Sequence, residues 1–137
     1  MRPRVLLAVA LGGGLGACAR YELALTFAPT SPPALPWVTL LINLSGSFVL
    51  GLVLTMVLDV WPPTTYVRPF VGIGVLGGFT TFSTFVVESA RLTGHGQVAL
   101  ALAYVAVSLA GGLVACALGY GTALAWERLL VKGRPHR

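Results

Sequence analysis

Four long apolar runs, at about 5–27, 37–58, 67–87 and 98–124, constrain this chain more than any other feature. Each is close to the roughly 20 residues that a helix needs to cross the hydrocarbon layer of a bilayer. The links between them are short: "APTSPPALP" (28–36), "DVWPPTTY" (59–66) and "ESARLTGHGQ" (88–97), the last a loop or a helix end. A proline inside a helix loses a hydrogen bond and clashes with the preceding turn, so the first two links end their helices. Only 9% of the residues are charged, against about 25% in soluble domains, which is too little charge to cover a water-facing surface. The reading is an all-α membrane protein, a single four-helix transmembrane domain over 1–137, with no space for a soluble domain.

The net charge of +5 does not make the chain a nucleic-acid binder. Its basic residues are not interleaved with aromatics but gather at the two ends, as Arg2, Arg4, Arg128, Lys132, Arg134 and Arg137. That pattern suits flanks lying beside anionic lipid. Four spans put both termini on one side together with Arg68, and leave Arg20 and Arg91 for the other side. Seven against two predicts cytoplasmic termini. Trp37 and Trp126 stand where interfacial tryptophans belong. Cys18 and Cys116 lie in apolar runs and read as small hydrophobes, not as a disulfide framework.

Two motifs in the first run are decoys. "LGAC" (15–18) after arginines and an apolar stretch resembles a lipoprotein cleavage site, but such a signal explains nothing that follows. "GGGLGA" (12–17) matches a dinucleotide fingerprint, yet 28–45 holds no acidic residue to take the ribose. Gly12, Gly13, Gly16 and Ala17 read instead as small residues that let helices approach closely.

Polar residues inside the apolar runs carry the functional signal. Thr39, Asn43 and Ser47 recur every four residues and share one helix face, as do Tyr104 and Ser108. Such a stripe is either interhelical glue or the lining of a water- or ion-filled path. Arg20 stands well within a span; it could snorkel, pair with Glu22, Glu88 or a backbone carbonyl, or attract an anion. Glu88 closes the third run, as a helix-end charge or the lining of a vestibule.

The third run holds Gly72, Gly74, Gly77 and Gly78, each costing about 1 kcal/mol in a helix interior. Non-helical backbone survives in a membrane only where protein or a watery cavity satisfies it. The run therefore predicts a helix broken near Gly77–Thr80, whose freed carbonyls can hold a cation such as Na⁺. Phe79, Phe82 and Phe85 recur every three residues, interleaved with Thr81, Ser83 and Thr84. Ring edges are weakly electropositive, so phenylalanines edging a pore would give a small anion weak sites, as conduction requires.

"GGGLGACARY" (12–21), "NLSGSFVLG" (43–51) and "GGFTTFSTF" (77–85), in this order, resemble the CrcB/Fluc family of fluoride channels. The resemblance implies an antiparallel, dual-topology homodimer with two pores between its subunits. It also implies a structural, non-transported Na⁺ on the backbone carbonyls of Gly77 and Thr80. Phe82 and Phe85 would be its pore phenylalanines and Asn43 its pore asparagine. Thr39, Tyr104 and Ser108, with Ser83 and Thr84, would lie along the polar path, and Arg20 would match the first-span arginine. The implied function is passive, selective F⁻ efflux across the plasma membrane of a microbe, protecting the cell.

This sequence departs from the family pattern at Gly112, where a hydroxyl would continue the polar track. It departs again in its seven-to-two charge bias, which suggests pairing with a paralogous subunit of opposite topology. Two rivals remain: a small multidrug-type transporter, which needs a mid-membrane acid where the first span offers only Glu22 near its end, and a non-conducting partner subunit. No catalytic nucleophile–base pair appears, and the expectation is a non-enzyme.

Overall fold

The computed structural model describes residues 3–27, 35–57 and 65–132, with side chains as far as Leu129. Helix α1 spans Pro3–Thr26 and α2 spans Trp37–Thr55. A π-helical segment, Pro69–Val75, runs into the short α3, Leu76–Phe79. Helix α4 is Phe82–Gly94 and α5 is Val98–Lys132. Among the described residues, four stretches are long and apolar enough to cross a membrane: Pro3–Thr26, Trp37–Thr55, Pro69–Gly94 and Val98–Leu129.

The boundaries differ from the expected ones where polar residues misled. The third stretch continues through Glu88 to Gly94, because Ser89 and Thr93 fold their hydroxyls back on the helix. Ser89 Oγ donates to the Phe85 carbonyl at 2.8 Å, and Thr93 Oγ1 donates to the Ser89 carbonyl at 3.0 Å. The link to α5 is then only a tight cap. Gly96 adopts φ +77°, the Gly96 amide donates to the Thr93 carbonyl and the Gln97 amide donates to the Leu92 carbonyl, a Schellman ending that glycine allows. At 35 residues α5 is about 50 Å long, well beyond a hydrocarbon layer of about 30 Å. The expected end of the second run, residue 58, lies outside the described residues.

The helices pack as two pairs, α1 against the π segment and α3, and α2 against α5. Glycines set both interfaces. A Cβ on Gly16 would collide with the Val75 carbonyl and stand 2.8 Å from the Phe79 amide, and one on Gly78 would run into the Gly13 carbonyl. Across the other pair, Gly51 lies against the Cys116 carbonyl and Gly119 against the Phe48 carbonyl. Without a hydrophobic drive between helices in lipid, such close backbone approach is what associates them. A buried cluster of Phe85, Leu92, Ala101 and Tyr104 ties α4 to α5. The motif at 12–17 lies wholly within α1, with no strand or turn for a dinucleotide.

Candidate functional site

The two helix pairs meet where the third span leaves the helix. Thr80 has φ −74°, ψ 156° and Thr81 has φ −143°, ψ 124°, both extended, while Gly77 and Gly78 remain helical within α3. The non-helical residues are thus the two threonines, and the glycines serve the contact with α1 and the groove beside α2. Helix α4 restarts with Thr81 as its N-cap: Thr81 Oγ1 accepts from the Thr84 amide at 3.2 Å and donates to Thr84 Oγ1 at 3.0 Å. A hydroxyl in this position satisfies one of the amides that a helix start leaves open.

Two side chains from other helices engage this backbone. The Asn43 amide binds Thr81 from both sides, Nδ2 donating to its carbonyl and Oδ1 accepting from its N–H, each at 2.9 Å. Arg20 Nε donates to the Gly78 carbonyl at 3.2 Å. Of the options open to Arg20, the structure selects a backbone carbonyl. Thr80 turns its own hydroxyl onto the Leu76 carbonyl at 2.8 Å, beside its amide at 3.0 Å. The carbonyls of Leu76, Gly78 and Thr81 are therefore occupied, whereas those of Gly77, Phe79 and Thr80 accept no hydrogen bond among the described residues.

Beside this point an open groove of about 320 Å³ runs between α2 and the third span. Asn43, Gly46, Ser47, Gly77, Thr80 and Phe82 are among the residues lining it. Phe82 is 74% exposed on the protomer and Phe85 only 8%. The rings of Phe82, Phe85 and Tyr104 form a file, with centroids 5.7 and 5.3 Å apart and tilted planes.

The file ends on a polar cluster that the sequence had not resolved. Glu88 receives Thr39 Oγ1 on Oε1 and Tyr104 OH on Oε2, both at 2.8 Å. Thr39 and Tyr104 are 6% and 1% exposed and Glu88 is half-buried, and its carboxylate joins α2, α4 and α5. The sequence left Glu88 open, as a helix-end charge or the lining of a vestibule; the signal for this cluster was a lone acid on the third span opposite a Thr and a Tyr on two other spans. Ser108 Oγ is buried with no hydrogen-bond partner among the described residues. Ser83 is exposed, near Thr81 Oγ1 at 3.3 Å. Gly112 leaves ordinary space, its nearest neighbour Ser47 Oγ lying 3.6 Å from where a Cβ would be. Among the described residues no His, Cys, Asp and Glu group could hold a metal, and Cys18 and Cys116 are free.

Four helices long and apolar enough to span a membrane, with a groove between α2 and the third span that Asn43, Ser47, Thr80 and Thr81 help to line, define a multi-pass membrane protein. The chain belongs to the CrcB family: the model described as CrcB-like protein, Camphor Resistance (CrcB), matches residues 7–120. The fluoride-specific ion channel FluC 3 of Streptomyces avermitilis is 55% identical over 119 residues, 87% of this chain. The match spans 58% of that relative's length, less than two thirds. The fluoride-specific ion channel FluC 2 of Nocardia farcinica is 45% identical over 121 residues, 88% of this chain and 86% of its own. The fluoride-specific ion channel FluC of Rhodospirillum centenum is 44% identical over 115 residues, 82% of this chain and 91% of its own. The family resemblance of the three sequence motifs is borne out.

Proposed function

We propose that this chain is a fluoride channel that lets F⁻ leave the cell passively, working as an antiparallel dimer with the groove as its half of a pore. The observation that carries the reading is the file of Phe82, Phe85 and Tyr104 beside Ser83, Thr84 and the Thr39–Glu88–Tyr104 cluster. Ring edges and the hydroxyls of Ser83 and Thr84 can replace the water around a small anion without binding it tightly enough to stop it. The relatives named as fluoride-specific ion channels point the same way. The polar groove and the exposed Phe82 favour a covering partner, since polar backbone is not left open to lipid.

The free carbonyls of Gly77 and Thr80 suit a hard cation, and all-oxygen donation fits Na⁺ better than a transition metal. Bound there, Na⁺ would neutralise the carbonyl dipoles and join two protomers. This chain's own residues do the rest: Thr80 and Thr81 hold the extended backbone, and Phe82 is presented at the groove. Donors along the groove, Ser47 among them, would compensate the anion's lost water.

Purified chain reconstituted alone in liposomes should lose F⁻ rapidly and retain Cl⁻, as read by ion-selective electrodes, and Phe82→Ile should abolish the F⁻ flux. Folded protein that passes no F⁻ would end the homodimeric reading. The seven-to-two bias of basic residues favours one alternative in that event, pairing with a paralogue of opposite orientation. Cysteine labelling from both faces tests it: equal labelling rules out a fixed orientation.

A further inference from the structure

Asn43 stands in the groove, yet both ends of its amide are used on one residue of the neighbouring span, and the consequence is geometric. The Thr81 N–H that Asn43 Oδ1 accepts belongs to the same peptide unit as the Thr80 carbonyl. A trans peptide is planar, with its N–H and C=O pointing in opposite directions. Fixing the Thr81 N–H on Asn43 therefore aims the Thr80 carbonyl away from Asn43. The second bond, Nδ2 to the Thr81 carbonyl, fixes the next peptide plane, so Thr81 cannot rotate back into the helix. Arg20 on the Gly78 carbonyl and Thr80 Oγ1 on the Leu76 carbonyl occupy two of the neighbouring oxygens.

We propose that Asn43 is a positioning residue for the cation site: by clasping Thr81 it orients the Thr80 carbonyl and holds it free to coordinate. This rests on the sodium reading above. It gives the asparagine a role distinct from touching the permeating anion.

The test is a Na⁺ titration of the melting temperature of the purified full chain in detergent, with N-methylglucamine replacing Na⁺ in the reference. A ligand that binds only the folded state raises stability with its concentration, which yields an affinity. The probes are Asn43→Leu, which makes neither bond, and Asn43→Asp, whose carboxylate cannot donate to the Thr81 carbonyl and repels it. Lost outer-shell support costs roughly 10–100-fold in metal affinity, and that loss is expected for both variants. A residue acting merely as a polar neighbour of the cation would make Asn43→Asp bind Na⁺ more tightly, since it adds a negative charge. Tighter binding in Asn43→Asp, or unchanged affinity in Asn43→Leu, overturns the proposal and leaves the sodium site standing. A wild-type chain without any Na⁺ response overturns the sodium reading, and the proposal with it. If neither variant is recovered folded, hydrogen exchange of the wild-type Thr81 amide decides: it should slow when Na⁺ is added, and unchanged exchange counts against the clasp.

Discussion

Replacing Tyr104 with Phe removes one hydroxyl and nothing else. The ring, 1% exposed and 5.3 Å from Phe85 centroid to centroid, keeps its packing. What is lost is the 2.8 Å donation to Glu88 Oε2. A neutral hydrogen bond between membrane helices averages about 0.6 kcal/mol, but one to a charged acceptor contributes about 1.5–3 kcal/mol, because its loss strands a charged group. Both donors are buried, Glu88 is half-buried, and its carboxylate has only Thr39 Oγ1 as its other donor among the described residues, so the larger range applies. Tyr104→Phe should cost about 2 kcal/mol in unfolding free energy. In a Glu88→Leu background the same change should cost under about 1 kcal/mol, since no carboxylate remains to be stranded. The assay is a double-mutant cycle on unfolding in mixed detergent, followed by tryptophan fluorescence. An equal cost of Tyr104→Phe in both backgrounds would refute the claim that the hydroxyl acts through Glu88.

Three further outcomes are expected. Gly16→Ala places a methyl on the Val75 carbonyl, backbone that cannot swing aside, and should destabilise the α1 contact by about 1–3 kcal/mol in the same unfolding assay. Gly112→Ser should fold as well as wild type, with its hydroxyl in reach of Ser47 Oγ, and should pass F⁻ at least as fast in a liposome efflux assay. Ser108→Ala should leave stability unchanged or raise it by up to about 1 kcal/mol, because the buried hydroxyl has no partner to lose; if Ser108 serves the ion path, F⁻ efflux falls all the same.

The four spans were legible from the sequence because crossing hydrocarbon imposes a length and a polarity on each helix separately, so no knowledge of its neighbours is needed. The same is true of glycines that need close approach, although which ones touch was not legible: Gly16 meets Val75 and Gly78 meets Gly13, while Gly14 meets nothing within 4 Å. Helix ends were less legible. Ser89 and Thr93 left the choice between loop and helix end open in the sequence, and the structure makes them helix, with their hydroxyls bonded to their own backbone.

At the candidate site, periodicity grouped residues on helix faces and left their partners open. The spacing of Thr39 and Asn43 put them on one face of α2, and they do share that side of the bundle. Yet one serves Glu88 and the other serves the Thr81 backbone. Arg20 had several possible partners and takes the Gly78 carbonyl, 58 residues away in sequence. Glycine content pointed to a break near Gly77–Thr80, and the extended residues are Thr80, at the end of that range, and Thr81. The sequence by itself determined that the chain is a four-span membrane protein with polar residues where lipid forbids them, because burial in hydrocarbon acts on each residue alone. Only the tertiary structure decided which polar group meets which, because a hydrogen bond needs two partners within about 3 Å, and that closeness arises when one helix packs against another.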